Sequence, residues 1–235
     1  MDIIPVIDVA RGKVVRAVEG KRSMYRPIET PLAPTPEPAD VALGLKTLFP
    51  FRRYYVADLD GIEGRGRNTH LVPALSQVLS HAEIWMDAGS GSRSAARAVL
   101  AAPVVTLVVG TESLESVRDW KDIASEGLSR TVLSLDFRGG EFMGPDALLA
   151  DTSLWPSRVI VMTLDRIGSA NGPNVELLED IVGRAGQRRV YAAGGIRDRA
   201  DLDRVKRTGA AGVLVASLLH AQKVSAGDLK EIAGR

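Results

Sequence analysis

The sequence contains no cysteine, only 5% aromatic residues and almost no net charge. Without cysteine, disulfide bonds, thiolate metal sites and cysteine nucleophiles are excluded. Its 30 basic and 29 acidic residues leave a formal charge of +1, which gives no electrostatic reason to expect nucleic acid or a membrane as partner. His70, His81 and His220 are the three histidines, and they lie far apart in the sequence. We therefore predict solvated helix ends for them rather than a metal centre.

Long apolar runs are also absent. No run approaches the roughly 20 residues that span a bilayer, and the N-terminus lacks the basic and apolar regions of a signal peptide. We therefore expect a cytoplasmic protein. The chain has 235 residues, of which 45% are hydrophobic and 25% charged, the balance of an ordinary globular domain.

Short apolar runs recur along the chain, each followed by a small-residue turn and a helical pattern. Runs such as "VVTLVV" and "RVIVMT" lack alternation, which is typical of parallel strands buried on both faces. Strands are predicted near 2–8, 53–58, 83–87, 104–109, 130–136, 158–163, 189–193 and 212–215. Helices are predicted near 39–49, 70–81, 92–101, 113–126, 144–154, 174–185, 198–208 and 217–221, with a last one at 226–234. Eight alternating pairs predict an α/β fold, a single (β/α)₈ TIM barrel over residues 1–235, with a doubly wound open sheet as the competing architecture.

The two halves of the chain resemble each other. "IPVIDVARGKVV" parallels "TVLSLDFRGGEF", and "LVVGTESL" parallels "VLVASLLH". These matches predict a two-fold repeat of half-barrels, at about 1–128 and 129–235.

Two carboxylates occupy matching positions in this repeat. Asp8 and Asp136 end the first and fifth predicted strands, which face each other across a barrel. Barrel active sites lie at the carboxyl ends of the strands, so the pair is placed to donate and accept protons from opposite sides of a substrate. Either residue alone is equally well explained as a turn cap. Asp58 and Asp60 lie at the end of the second strand, where they could bond loop amides or neighbour Asp8, and we favour a structural role for them. Asn68 closes the same loop and is open to either role.

Small-residue clusters follow four other strands. "AGSGSR" and "VGTES" follow the third and fourth, while "AAGGIR" and "LVASLL" follow the seventh and eighth. Backbone N–H groups at such turns bind anions, although tight turns need glycine in any case. Two symmetric clusters suggest a small phosphorylated substrate with a phosphate at each end.

The motifs "IIPVIDVARGKVVRA", "VADLDGIEGRGRN", "SLDFRGG", "RIGSANGPN" and "AAGGIR" together resemble the histidine-biosynthesis barrel family over nearly the whole chain. That family comprises the ProFAR isomerase, which acts on phosphoribosylformimino-aminoimidazole carboxamide ribotide, and a cyclase. The chain is more similar to the isomerase. The resemblance implies an Amadori rearrangement of a sugar phosphate or nucleotide-like substrate, without metal or organic cofactor.

The resemblance also implies roles for individual residues. Asp8 and Asp136 match the two catalytic aspartates, and Thr163 a third catalytic position for which Asp165 is an alternative. The implied phosphate- and substrate-binding residues are Gly89, Ser90, Gly91, Gly110, Thr111, Arg166, Gly168, Gly194, Gly195, Ala216 and Ser217.

Several motifs depart from the isomerase pattern. Ile167 replaces an acidic residue after the sixth strand, and Arg22, Tyr25 and Arg26 stand in an altered first loop as substrate contacts or solvated residues. The combination is similar to a less characterised isomerase-related branch of one-carbon-metabolising microbes. Two alternatives to the isomerase are therefore open: a related enzyme acting on another phosphorylated substrate in methanopterin or methanofuran coenzyme synthesis, and a barrel without catalysis that binds a metabolite or protein.

Overall fold

A ring of eight parallel strands forms the centre of the computed structural model, which describes residues 1–234. The strands are β1 Asp2–Ala10, β2 Arg53–Asp58, β3 Glu83–Asp87, β4 Val105–Gly110, β5 Thr131–Arg138, β6 Arg158–Thr163, β7 Arg189–Ala193 and β8 Gly212–Val215. Each strand pairs with the next in the chain, and β1 also pairs with β8, which closes the ring. This confirms the predicted TIM barrel. The half-barrel repeat stays a prediction.

Helices surround the ring and connect its strands. They are α1 Pro38–Leu48, α2 Leu59–Ile62, α3 Val72–Val78, α4 Arg93–Leu100, α5 Val117–Gly127, α6 Asp146–Ala150, α7 Val175–Arg184, α8 Arg199–Arg207, α9 Ser217–His220 and α10 Ala226–Ala233. Within residues 1–234, none of these helices has the length and apolar character needed to cross a membrane.

Alternate residues of each strand enter two separate apolar cores. In β4, Leu107 and Val109 pack outward under the helices, whereas Val108 points into the barrel. The interior core also contains Trp85 and Tyr191, whose rings meet edge to face at 4.8 Å. Because both faces of every strand are buried, the sequence shows continuous apolar runs, and the side-chain period of two decides which residues face inward.

Two predicted helices are shorter than expected. The segment 70–81 is helical only over Val72–Val78, after a 3₁₀ turn at Thr69–Leu71. The segment 144–154 contains α6 and a separate 3₁₀ turn at Thr152–Leu154. The Asp151 side chain accepts a hydrogen bond from Ser153 N at 2.9 Å, which starts the new turn and ends the helix.

The prediction for His220 was wrong. This residue ends α9 but is only 4% exposed, and its Nδ1 lies 3.1 Å from Thr30 Oγ1 of the first loop. Burial lowers the pKa of His220 to about 4, so the ring is neutral at pH 7. The helix end is covered because the long β1–α1 loop folds back over it.

Candidate active site

The alternation of side chains along the strands directs three carboxylates toward the barrel axis. In β1, Ile7 and Val9 join the outer core, so Asp8 points inward. In β5, Leu133 and Leu135 join the outer core, which turns Asp136 inward. In β3, Trp85 belongs to the interior core, and Asp87, two residues later, points to the same side. All three acids lie within two residues of the carboxyl ends of their strands, at the same face of the ring.

These carboxylates line a cavity with an empty volume of about 1000 Å³ that opens at this face. Its walls are mostly apolar, and its polar groups converge from several loops. The apolar lining includes Val6, Tyr55, Leu59, Ile62, Met162, Leu164, Ile167 and Leu214. A large concave site with a few converging polar groups is typical of small-molecule binding.

Asp136 is almost fully buried, with 3% of its surface exposed. Its Oδ1 accepts a hydrogen bond from Ser134 Oγ at 2.6 Å, and its Oδ2 accepts one from Glu112 N at 3.1 Å. Loss of solvation raises the pKa of Asp136 to about 8 despite these two donors, and the charge of Asp87 adds to the rise. At neutral pH this group is therefore mainly a carboxylic acid.

Asp8 lies half-buried in the cavity wall. Desolvation raises the pKa of Asp8 to about 7, while the nearby Arg22 opposes the shift and Asp87 adds to it. Asp8 and Asp136 thus both titrate near neutrality, where one can be protonated while the other is ionised. Such a pair is suited to general acid–base chemistry.

Asp87 was not predicted as a site residue, although it lines the same cavity. Its Oδ2 accepts a hydrogen bond from Tyr55 Oη at 2.9 Å, and its Oδ1 accepts one from Gly89 N at 3.2 Å. Desolvation raises the pKa of Asp87 to about 6, less than for Asp136, because these donors and Arg22 offset part of the burial. The signal in the sequence was an acidic residue at the end of a strand, as at Asp8 and Asp136.

An ion-pair cluster covers one side of the mouth. Arg22 Nη2 from the first loop lies 2.7 Å from Glu112 Oε1, and Arg138 Nη2 lies 3.7 Å from Glu112 Oε2. Arg22 and Tyr25 line the cavity, as one interpretation of the first loop expected, whereas Arg26 is exposed and bonds to the carbonyls of its own loop. Glu112 and Arg138 were not predicted, because their roles depend on contacts between distant loops.

The predicted phosphate residues after β7 and β8 meet in the cavity. Gly194, Gly195, Ala216 and Ser217 all line it, together with Gly168 from the loop after β6. Gly194 has a φ of +106°, a conformation that favours glycine. The loops after β6, β7 and β8 therefore form one continuous wall opposite Glu112.

The predicted phosphate residues after β3 and β4 do not line this cavity, as the structure describes it. Ser90 and Thr111 have no exposed surface, and Thr111 Oγ1 accepts a hydrogen bond from Asp136 N at 2.9 Å. A side chain at Gly91 would collide with the carbonyl of Ser113, and one at Gly89 would lie 2.6 Å from Ile62 Cα. Close backbone packing thus accounts for Gly89 and Gly91.

The strand-6 candidates also lie outside the cavity lining. Met162 faces the interior, so Thr163, one residue later, faces outward, where its hydroxyl donates to Ala193 O at 2.9 Å. Asp165 accepts a hydrogen bond from Gly139 N at 3.2 Å, and Arg166 donates to Gly172 O at 2.9 Å. All three residues connect loops at the mouth.

Asp58 and Asp60 form hydrogen bonds within the loop after β2, as the structural interpretation of these two acids predicts, and Asn68 joins the same network. Asn68 Nδ2 donates to Asp58 Oδ1 at 2.7 Å and to Asp60 Oδ2 at 2.8 Å, and Asp58 also accepts hydrogen bonds from Gly61 N and Asn68 N. Asp60 accepts a further bond from Arg11 N at 2.5 Å. The network holds the loop after β2 against the β1 loop. Among residues 1–234, no group of three or more histidine or acidic side chains is arranged to hold a metal ion.

Fold and site together define a (β/α)₈ barrel whose acid-rich cavity lies at the carboxyl ends of the strands. The chain belongs to the histidine biosynthesis protein family, whose model matches residues 2–225. This confirms the family that the motifs predicted.

Individual relatives match over almost their full length. A Methanocaldococcus jannaschii protein described as uncharacterised is 27% identical over 243 residues, covering 99% of this chain and 97% of the relative. Two relatives are named 1-(5-phosphoribosyl)-5-((5-phosphoribosylamino)methylideneamino) imidazole-4-carboxamide isomerase. The Methanosarcina mazei enzyme is 29% identical over 239 residues, covering 93% of this chain and 92% of the relative. The Arthrobacter sp. enzyme is 28% identical over 251 residues, covering 100% of this chain and 96% of the relative.

Proposed function

We propose that this protein is an isomerase that converts a phosphorylated aminoaldose into an aminoketose by an Amadori rearrangement. The observation that carries the proposal is the position of Asp8 and Asp136, which enter one cavity from strands on opposite sides of the ring. Relatives named as isomerases match the chain over nearly its whole length, which supports the same class of reaction.

The two carboxyl groups divide the proton transfers between them. One carboxylic acid protonates the ring oxygen of the sugar as the C1–O bond breaks, and the nitrogen lone pair forms the C1=N bond. One carboxylate then removes the proton at C2, which gives an enaminol. Protonation at C1 and loss of the C2 hydroxyl proton convert the enaminol into the aminoketose. The pKa values of about 7 for Asp8 and about 8 for Asp136 make both protonation states accessible at neutral pH.

The wall after β7 and β8 binds the substrate phosphate in this proposal. Backbone N–H groups at Gly195 and Ser217 lie in glycine-rich or small-residue turns before helices, the usual barrel position for a phosphate. The substrate's sugar then extends across the floor of the cavity between Asp8 and Asp136.

A second candidate is the same rearrangement on a substrate with one phosphate. It is favoured by the cluster after β3 and β4, where Ser90 and Thr111 are fully buried and backbone atoms pack closely against Gly89 and Gly91. A related enzyme of coenzyme biosynthesis is one form of this candidate.

Conversion of ProFAR by the purified protein, together with rescue of a histidine auxotroph that lacks the isomerase, tests the first candidate. Turnover and rescue are expected if the substrate carries two phosphates. The glycosylamine that aniline forms with ribose 5-phosphate is the probe for the second candidate, because it is an aminoaldose with a single phosphate. Turnover of neither compound, with both binding, would support a barrel without catalysis and contradict the proposal.

A further inference from the structure

The cavity contains more acidic than basic side chains. Its lining includes four carboxyl groups, from Asp8, Asp87, Glu112 and Asp136, but only two guanidinium groups, from Arg22 and Arg138. Both guanidinium groups pair with Glu112. In the described chain, no lysine or arginine forms an ion pair with any of the three aspartates. Arg22 pairs with Glu112 and acts on Asp8 and Asp87 only through the field of its charge, so none of the three carboxyl groups contacts a protein cation.

The orientation of the Asp87 carboxylate is fixed by protein groups, independently of any substrate. Tyr55 Oη and Gly89 N each donate to a different oxygen of its carboxylate, at 2.9 Å and 3.2 Å. Tyr55 is 4% exposed and packs in the barrel interior, so it holds the carboxylate from below. The carboxylate oxygens keep free acceptor positions, since each can accept two hydrogen bonds.

We infer that Asp87 binds a positively charged nitrogen of the substrate, so that the site selects a sugar phosphate carrying a basic or iminium nitrogen next to the sugar carbon that reacts. This inference rests on the proposed isomerase function and assigns the substrate's nitrogen to a third carboxylate. Asp8 and Asp136 retain the proton transfers, and Asp87 supplies the counter-charge.

The Amadori rearrangement needs such a counter-charge. When the C1–O bond of an aminoaldose breaks, the nitrogen lone pair forms the C1=N bond and the nitrogen becomes cationic. When the C2 proton leaves, the electron pair of the C2–H bond forms the C1=C2 bond and the C1=N electrons return to nitrogen, which is again neutral. A fixed carboxylate beside the nitrogen stabilises the cationic intermediate and both flanking transition states. Burial raises the pKa of Asp87 only to about 6, so the group is mainly ionised at pH 7.5.

Two ketose phosphates that differ in one group provide the binding test. The probes are 1-amino-1-deoxyfructose 6-phosphate, whose ammonium group mimics the cationic nitrogen, and fructose 6-phosphate, whose hydroxyl group does not. Calorimetry at pH 7.5 should show the amine binding the wild-type protein about tenfold or more tightly, the factor expected for a charge-assisted hydrogen bond. Equal affinities in the wild type would overturn the inference.

Asp87→Asn is the matched variant, because the amide keeps an oxygen for the Tyr55 hydroxyl and removes the charge, at the loss of the longer hydrogen bond from Gly89 N. It should bring the two affinities within about twofold of each other and leave that for fructose 6-phosphate unchanged. An Asp87→Asn protein that folds normally by circular dichroism and still prefers the amine tenfold would contradict the assignment. Tyr55→Phe, which keeps the charge but removes its orienting donor, should reduce the preference only in part.

Asp136→Asn separates this inference from the proposed function. That variant should lose turnover while it keeps the preference for the amine. An amine preference that depends on Asp87, in a protein that converts no aminoaldose, would support the nitrogen site and reject the isomerase. The opposite result, turnover without any amine preference, would reject the nitrogen site alone.

Discussion

The carboxylate of Asp136 lies against the backbone of Gly110, the last residue of the neighbouring strand. A β-carbon on Gly110 would approach Asp136 Oδ2 to 2.8 Å and Asp87 Oδ2 to 3.8 Å. Glycine is therefore required here for the space that the two inward-facing acids occupy. This explains a glycine that the sequence pattern assigned to phosphate binding.

Gly110→Ala should displace the Asp136 carboxylate and lower kcat at least about tenfold, because small errors of position are costly in catalysis. The free energy of unfolding should fall by about 1–3 kcal/mol, the usual cost of a small overpacking change. Urea unfolding and steady-state kinetics on the substrate that the wild type converts measure the two effects.

Gly183→Ala is the matched control, since a β-carbon at that position in α7 would contact nothing within 4 Å. It should raise the free energy of unfolding by roughly 0.5–1 kcal/mol and leave kcat unchanged. Wild-type kinetics in Gly110→Ala would show that Asp136 has more freedom than its contacts indicate.

Asp136→Asn should change how stability depends on pH. The folded protein raises the pKa of Asp136 from about 4 to about 8, so between these values it holds a proton that the unfolded chain has released. The contribution of this group to the free energy of unfolding therefore falls as the pH rises from 4 to 8. Because asparagine does not titrate, the variant should gain stability relative to the wild type by on the order of 4 kcal/mol between pH 5 and pH 8.5, about 1.4 kcal/mol for each pH unit below the folded pKa. Urea unfolding at both pH values measures this gain, and a constant difference would contradict it.

Ser217→Asp should weaken phosphate binding by placing a negative charge at the wall after β8. We expect KM to rise about tenfold with little change in kcat, because the repulsion acts equally on the bound substrate and the transition state. Ser92→Asp is the control: it lies at the N-cap of α4, beside the other small-residue cluster, where aspartate is also a favourable cap. Its KM should stay within twofold of the wild type. A tenfold rise in both variants would indicate phosphates at both ends of the substrate.

The barrel was predictable because its signals are local. Buried parallel strands appear as apolar runs, and each ends at an acidic or small residue within a few positions of the observed boundary. Asp8 and Asp136 were identified for the same reason. Thr163 shows what the sequence could not predict. A shift of one residue along a strand exchanges the side chains that face the interior with those that face the helices. Only the packing of Met162 inside the barrel shows that Thr163 faces outward. The pairing of Arg22 with Glu112 joins loops 90 residues apart, which no local pattern indicates.

Thr163→Val tests directly whether the Thr163 side chain faces away from the cavity. Thr163 does not line the cavity, and its hydroxyl donates to Ala193 O. Loss of this hydroxyl should therefore lower the free energy of unfolding by about 1 kcal/mol and leave kcat within a few-fold of the wild type. Thermal unfolding and steady-state kinetics measure the two quantities. A loss of kcat by a hundredfold or more at unchanged stability would restore Thr163 as a catalytic residue.

The most direct test of the account is the rate at which Asp8→Asn and Asp136→Asn convert the substrate of the wild-type protein. Each variant should fold normally and lose about 10²–10⁴-fold in kcat, the usual contribution of a general acid or base. Asp122→Asn, on the exposed face of α5, should keep the wild-type rate. Wild-type kcat in either Asp8→Asn or Asp136→Asn would contradict a mechanism in which two carboxyl groups act from opposite sides of the cavity.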